Sequence, residues 1–353
     1  MADKVLMKGN EAIAEAAIIA GCRHYFGYPI TPQTEVAAYM AKKMPKIGGC
    51  FLQAESEVAA INMVYGVSST GKRVMTSSSS PGISLKSEGL SYLAGADLPA
   101  LVVNVQRGGP GLGGIQPSQS DYFQATRGGG HGDYHMIVLA PASVQEMAEL
   151  TVKGFELADT YRMTSMILAD GTMGQMMEPV SLDFDIKPIP EKPWATTGTK
   201  MEREHNIVNS LYLSPEKLEE TNFERYEKYK YIEENEAMYE EYMVDDADII
   251  VTAFGIAARV SKNAVNEARA RGIKVGLIRP ITLWPFPVTP FKKAAEHAKQ
   301  FISVELSMGQ MIEDVKLATD CKVPVTLCNR VGGMIPSPEQ VLEAIVEADG
   351  GVK

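Results

Sequence analysis

Short apolar runs alternate with amphipathic or small-residue stretches along most of the chain. Four of these runs are almost continuously apolar, at residues 100–105, 136–140, 249–252 and 275–278. Strands that are covered on both faces have this composition, as in parallel sheets. The segments between the runs, for example residues 143–158, fit helices, and the alternation of strand and helix predicts an α/β fold.

Changes in composition divide this pattern into three parts. Residues 1–180 form one predicted α/β domain, and residues 247–353 form a second and smaller one. Residues 181–246 between them begin with a proline-spaced segment and continue with a Glu/Lys/Tyr-rich stretch at residues 216–242. We expect this stretch to be a solvated charged helix or a long connection.

Whole-chain totals exclude several classes of protein. The 353 residues are 45% hydrophobic and 22% charged, which is typical of a soluble globular protein. The formal net charge of -10 argues against nucleic acid or an anionic membrane as partner, and no apolar run is long enough to span a bilayer. The four cysteines show no C-x-x-C spacing, so we expect no metal or iron–sulfur site in this chain, and a reducing, cytoplasmic location.

The stretch at residues 51–82 combines charge with small apolar residues. Glu55 and Glu57 stand at the head of a predicted helix, and a Gly-Lys turn, a short strand and a run of hydroxyl residues follow. Burial of a carboxylate there costs free energy unless hydrogen bonds or an opposite charge compensate it, so a buried acid at this position indicates a functional role. The alternative is an ordinary first-turn carboxylate favoured by the helix dipole, worth about 0.3–1 kcal/mol. A phosphate-binding loop is disfavoured, because Arg73 replaces the required hydroxyl and the segment runs from helix to strand.

Two loops add candidate chemistry. The proline loop, residues 27–32 (Gly-Tyr-Pro-Ile-Thr-Pro), cannot form regular hydrogen bonds, and we expect Thr31 to cap the following helix with Pro32 at its first position. The glycine-rich loop, residues 106–114, follows the carboxyl end of a buried strand, where open α/β sheets bind ligands. Arg107 in this loop predicts carboxylate recognition through two parallel hydrogen bonds.

Five segments together resemble the alpha subunits of 2-oxoacid:ferredoxin oxidoreductases, which are thiamine-diphosphate enzymes. They are Gly-Asn-Glu-Ala at residues 9–12, the proline loop, Glu57 with Gly66 nine residues later, the start of the glycine-rich loop, and residues 277–287. The resemblance covers almost the whole chain. It implies a pyrimidine-binding domain at residues 1–180, a parallel sheet flanked by helices, followed by a domain similar to the C-terminal domain of transketolase.

The resemblance also assigns roles to individual residues. It implies that Glu57, rather than Glu55, hydrogen-bonds N1′ of the aminopyrimidine and so promotes removal of the thiazolium C2 proton. Thr31 and Arg107 would contact the carboxylate and carbonyl oxygens of the 2-oxoacid. Further residues would bind the cofactor: Tyr28, Pro29, Ile30 and Ser80.

Partner chains are implied because this chain lacks two parts of such an enzyme. It has no Gly-Asp-Gly motif followed by an asparagine at the diphosphate-binding distance, and no ferredoxin-like run of cysteines. The resemblance places the diphosphate site, Mg²⁺ and an iron–sulfur cluster on a beta subunit, with gamma and ferredoxin-like delta subunits in four-subunit forms. We expect a homodimer that is inactive alone and that works with coenzyme A and ferredoxin through the complex.

The sequence also indicates an order of preference among three candidate 2-oxoacid substrates. The residues after Arg107 resemble the branched-chain type rather than the variant usual in 2-oxoglutarate enzymes, and a second carboxylate would need a cation other than the distant Arg127. We favour 3-methyl-2-oxobutanoate over 2-oxoglutarate, with pyruvate third. A transketolase-like synthase and a non-catalytic binding or assembly subunit with the same fold are the alternatives.

Overall fold

The computed structural model describes residues 4–351 as alternating strands and helices. The elements of the first half are β1 Lys4–Lys8, α1 Gly9–Ile19, β2 His24–Gly27, α2 Thr34–Lys43, β3 Cys50–Gln53, α3 Glu57–Ser69, β4 Val74–Ser78, α4 Pro81–Gly95, β5 Ala100–Gln106, α5 Tyr122–Thr126, β6 Ile137–Leu139, α6 Val144–Tyr161, β7 Thr164–Asp170, α7 Gly171–Gln175 and β8 Met177–Ser181. The elements of the second half are α8 Pro215–Asn235, β9 Tyr239–Tyr242, β10 Ile249–Thr252, α9 Gly255–Ala270, β11 Val275–Pro280, β12 Thr282–Trp284, α10 Val288–Ala294, β13 Gln300–Glu305, α11 Met311–Ala318, β14 Val325–Asn329 and α12 Pro338–Ala348.

The larger sheet has seven strands in the order β12-β6-β7-β5-β4-β2-β3. Six of them run parallel, and β12 joins the edge antiparallel to β6. Strands β4, β5, β6 and β7 are buried along their whole length because helices cover both faces. The carboxyl ends of β4 and β5 therefore lie side by side at the same edge of the sheet. The run of hydroxyl residues follows β4, and the glycine-rich loop follows β5.

The smaller sheet has five strands in the order β14-β13-β10-β11-β9, and all pairs are parallel except β9 with β11. Two parallel sheets with flanking helices confirm the predicted α/β fold. A separate two-stranded ladder pairs β1 with β8. None of the helices in residues 4–351 combines the length and the apolarity needed to cross a bilayer.

The charged stretch at residues 216–242 is not one continuous helix. Helix α8 ends at Asn235, and β9 then adds an edge strand to the smaller sheet. The reason lies in ion pairs across the sheet edge, because Glu240 Oε2 accepts from Arg279 Nε at 2.8 Å and Oε1 accepts from Lys262 Nζ at 2.7 Å. A polar pattern that suits a solvated helix also suits a strand that is paired through its charges.

The start of α2 also differs from the prediction. The helix begins at Thr34 after Gln33, so Thr31 is not its cap and Pro32 is not its first residue. The Pro32 carbonyl accepts from Asn10 Nδ2 at 2.8 Å and from Gln175 Nε2 at 3.2 Å, which takes it out of the helical hydrogen-bond ladder. These side chains instead fix the proline loop against α1 and α7.

Candidate active site

Glu57 is the first residue of α3, and its side chain is 5% exposed. Ser56 caps the helix by accepting a hydrogen bond from Ala59 N–H at 3.1 Å, which fixes the entry of the chain into α3. No donor within residues 4–351 hydrogen-bonds the Glu57 carboxylate, whereas Glu55 is exposed. A buried carboxylate without a partner favours a functional role over an ordinary first-turn residue.

The start of α4 lies directly against this carboxylate. A Cβ atom on Gly82 would stand 2.7 Å from Glu57 Oε1 and 2.1 Å from Ser78 Oγ, so only glycine allows this approach. The hydroxyl groups of Ser78 and Ser79 are buried and have no hydrogen-bond partner within the described chain. Acid, hydroxyl groups and bare backbone thus lie close together at the start of α4.

Ser80 connects the start of α4 to the neighbouring strand and loop. Its hydroxyl donates to Asp121 Oδ2 at 2.6 Å and accepts from Arg107 N–H at 3.0 Å. Its own N–H donates to Asn104 Oδ1 at 3.1 Å. The φ angle of Ser80 is +21°, a value that L residues rarely adopt, and these hydrogen bonds hold it there.

Arg107 is 7% exposed and joins the two predicted loops. Its Nη1 donates to the carbonyl of Thr31 at 3.0 Å, and its Nη2 donates to the carbonyl of Leu112 at 3.1 Å. Its Nε is buried without a partner within residues 4–351. The guanidinium therefore stabilises the two loops and leaves one buried donor unpaired within the described chain.

The remaining predicted site residues lie at the open side of the same edge. Tyr28, Pro29 and the side chain of Thr31 are exposed, and Ile30 is half-buried. The structure brings Glu57, Ser80, Arg107 and the proline loop together through consecutive contacts. Their roles toward substrate and cofactor stay predictions.

Sequence reasoning missed two polar residues of this site. Asn104 and Asp121 are joined by a hydrogen bond of 2.9 Å, and burial raises the pKa of Asp121 while hydrogen bonds from Ser80 and Asn104 act in the opposite direction. Asn104 interrupts an otherwise apolar strand, and this polar residue was the available signal. Asp121 borders a cleft of about 690 Å³ that the glycine-rich loop shares with residues 306–310.

Gly82→Ala tests this geometry. The added methyl group must displace Ser78 Oγ and the Glu57 carboxylate, so we expect the free energy of unfolding to fall by about 1–3 kcal/mol and turnover of the assembled enzyme to fall with it. Gly66→Ala, in the open middle of α3, is the matched control and should raise stability by about 0.4–1 kcal/mol. Chemical denaturation measures both, and equal behaviour of the two variants would contradict the close approach of α4.

Comparison with known proteins decides the family. Residues 15–246 match the thiamine-diphosphate-binding domain of pyruvate flavodoxin/ferredoxin oxidoreductases, and residues 247–341 match core domain II of pyruvate:ferredoxin oxidoreductase. The chain belongs to the 2-oxoacid:ferredoxin oxidoreductase family. This confirms the resemblance, the fold class and the thiamine-diphosphate prediction, and it makes the chain a subunit of an oxidoreductase that works with partner subunits.

Individual relatives differ in the substrate that they are named for. The chain is 53% identical over 346 residues to the ketoisovalerate oxidoreductase subunit VorB of Methanothermobacter marburgensis, with 98% of each chain covered. It is 35% identical to the 2-oxoglutarate synthase subunit KorA of Methanothermobacter thermautotrophicus, with 98% of this chain and 99% of that one covered.

Solved structures agree with this family. The 2-oxoglutarate:ferredoxin oxidoreductase from Magnetococcus marinus, with 2-oxoglutarate, coenzyme A and succinyl-CoA bound, is similar with a TM-score of 0.89 and 32% identity. The similarity covers 98% of this chain and 65% of that one. A split-gene transketolase, with a TM-score of 0.61 and 14% identity, shares the fold.

The site fits the aminopyrimidine end of thiamine diphosphate. The Glu57 carboxylate, which has no hydrogen-bond partner within residues 4–351, and the unpaired hydroxyl groups of Ser78 and Ser79 supply polar atoms that suit the ring nitrogens of an aminopyrimidine. Within residues 4–351 no group of three or more His, Cys, Asp or Glu residues could hold a metal ion.

Proposed function

We propose that this chain is the alpha subunit of an oxidoreductase that converts 3-methyl-2-oxobutanoate and coenzyme A to the acyl-CoA and CO2 and passes two electrons to ferredoxin. The observation that carries the catalytic part is the buried Glu57 carboxylate, which has no hydrogen-bond partner in the described chain and lies directly against the Gly82 backbone. The similarity to the ketoisovalerate oxidoreductase subunit supports the substrate.

Each residue then has a defined task. Thiamine diphosphate, when bound, supplies the carbanion chemistry that releases CO2 from a 2-oxoacid. Glu57 holds and returns a proton at N1′ of the aminopyrimidine, and Ser80 with Tyr28, Pro29 and Ile30 shapes the walls of the pocket. Arg107 directs its free Nε–H toward the carboxylate of the 2-oxoacid, with Thr31 beside it.

Exposed apolar side chains support a partner chain that completes the site. They occur on or next to the elements that carry the site residues: Tyr28, Leu52, Val58, Leu85, Leu112 and Met308. Exposed apolar surface of this kind is typical of a face that another protein covers. We assign this surface to a beta subunit that holds the diphosphate, Mg²⁺ and an iron–sulfur cluster, within a cytoplasmic complex that has gamma and delta subunits and a homodimeric alpha core.

The charges near the glycine-rich loop favour a monocarboxylate. Arg127, the cation considered for a second carboxylate, already pairs with Asp314 at 3.2 Å and Glu313 at 3.4 Å and lies over the ring of Phe123. Its charge is thus occupied within this chain. A branched apolar 2-oxoacid needs no second cation, whereas 2-oxoglutarate does.

A substrate comparison tests this proposal. The four-subunit complex is offered 3-methyl-2-oxobutanoate, 2-oxoglutarate and pyruvate at equal concentrations, and ferredoxin reduction is followed. We expect the highest kcat/KM with 3-methyl-2-oxobutanoate, by at least about 10-fold, because a buried unpaired carboxylate is costly. Faster reduction with 2-oxoglutarate would overturn the substrate, and no reduction with any of the three would overturn the function.

A further inference from the structure

Lys86 lies completely buried in the interface between α3 and α4, with 0% of its surface exposed. It shares one face of α4 with Gly82 and Gly89, at positions i, i+4 and i+7. A Cβ atom on Gly89 would stand 2.4 Å from Ile61 Cγ2, so this face packs against the first two turns of α3. Lys86 therefore lies between the close contact at Ile61 and the one at Glu57.

Few groups near the Lys86 ammonium offset the free-energy cost of burying its charge. Its Nζ donates to the backbone carbonyl of Glu57 at 3.5 Å, which is longer than a good hydrogen bond, and it makes no salt bridge within residues 4–351. Burial lowers the pKa of Lys86 to about 8, and the negative charge of Glu57 acts in the opposite direction. No other charged group of the described chain acts on it.

Packing alone does not explain a lysine in this position. A methionine has nearly the same length and would fill the interface without a buried charge, and replacement of buried charges by apolar residues is often neutral or stabilising. Among the described residues, Glu57 has the one negative side chain that acts on Lys86, although the two charges are too far apart for a salt bridge, and the Glu57 carboxylate has no donor of its own. The two buried charges thus depend on each other.

We propose that Lys86 is a positioning residue for Glu57, whose ammonium balances the Glu57 carboxylate while that acid exchanges a proton with the aminopyrimidine of the cofactor. The inference rests on the proposed function of Glu57. With thiamine diphosphate bound, Glu57 would hold a proton at N1′ of the ring, and the Lys86 ammonium would stabilise the Glu57 carboxylate whenever that proton is on the ring.

A double-mutant cycle on the full chain tests the coupling without any turnover. Thermal unfolding is compared for wild type, Lys86→Met, Glu57→Gln and the double variant. Lys86→Met removes an attraction only while Glu57 is charged, so it should raise Tm in the Glu57→Gln background by about 2 °C or more relative to its effect in wild type. Lys72→Met, at an exposed position, is the control and should show no coupling. Additive effects of Lys86→Met and Glu57→Gln would overturn the proposal.

The pH dependence of Tm gives a second test on the same proteins. Between pH 8 and about 10.5 the unfolded chain keeps the Lys86 proton that the folded chain has released, so unfolding takes up a proton and stability rises with pH. The Tm of wild type minus that of Lys86→Met should therefore increase across this range. A constant difference would mean that the ammonium is not held in an apolar site, and the proposal would fail.

The assembled complex provides the functional readout. Lys86→Met should keep assembly and lower kcat, and the acidic limb of the kcat/KM profile should move to higher pH, because loss of a nearby positive charge disfavours an ionised carboxylate. Lys72→Met should leave the profile in place. A lower kcat with an unmoved acidic limb would overturn the role of Lys86. A wild-type complex without activity would overturn the proposed function instead, while the cycle would still report on the charge pair.

Discussion

Glu57→Gln should lower turnover of the assembled complex by roughly 10²- to 10⁴-fold, the usual value of a positioned acid or base. Glutamine has the same size and can still form hydrogen bonds, but it cannot give up and take back an acidic proton. The Glu57 carboxylate makes no hydrogen bond within the described chain, so the exchange breaks no hydrogen bond and removes only the charge that acts on Lys86. The variant should therefore still fold and assemble, as circular dichroism and gel filtration would report, and a change in Tm would reflect the lost charge.

Glu55→Gln is the matched control for this experiment. Glu55 lies two residues earlier and is exposed, so its replacement removes the same charge from the same region and leaves the buried Glu57 unchanged. We expect its turnover to stay within about 2-fold of wild type, since most surface substitutions have small effects. Full activity of Glu57→Gln would show that Glu57 is not the catalytic acid. A large loss of turnover in Glu55→Gln would assign that role to Glu55 instead.

The isolated chain should show no oxidation of any 2-oxoacid, and activity should appear only when the partner subunits are added. In the proposed function Glu57, Ser80 and Arg107 bind one end of the cofactor, and several apolar side chains on neighbouring elements are exposed in residues 4–351. If each chain binds a different end of thiamine diphosphate, affinity for it should be lost with the partner.

Ferredoxin reduction by rigorously purified chain, with and without the beta, gamma and delta subunits, measures this dependence. We expect a signal at background for the chain alone and turnover on reconstitution. A mixture with the Glu57→Gln chain controls for activity that the partner preparation brings with it. Turnover of a 2-oxoacid by the chain alone would contradict a shared site.

Much of the fold could be predicted because its signals are local. The buried strands are almost continuously apolar, and several helices between them are followed by a glycine, such as Gly71 after α3 and Gly272 after α9, so the order of elements follows from the chain itself. The burial of Glu57 was predictable as well, because a carboxylate at the head of a small-residue helix has few reasons to be there. The place of Arg107 at the sheet edge was predictable too, because it directly follows a buried strand.

Other features depend on residues far apart in the chain. Strand β12 leaves the second half of the chain to pair with β6, and the carbonyl of Pro32 is taken by Asn10 and Gln175, which no local pattern reports. The sequence alone indicates that Lys86 is a solvated lysine on a helix, and its burial follows from the packing of α3 against α4. The positive φ of Ser80 has no sequence signal either, since serine before proline is common at helix starts.

The rate at which the thiazolium C2 proton exchanges with deuterium in the assembled complex tests the role of Glu57 most directly. Acid quenching followed by NMR compares wild type, Glu57→Gln and Glu55→Gln, all saturated with thiamine diphosphate and without 2-oxoacid. We expect exchange in wild type and Glu55→Gln to be far faster than in free cofactor, and exchange in Glu57→Gln to fall close to the free rate. Equally fast exchange in Glu57→Gln would show that this chain does not provide the proton-handling acid.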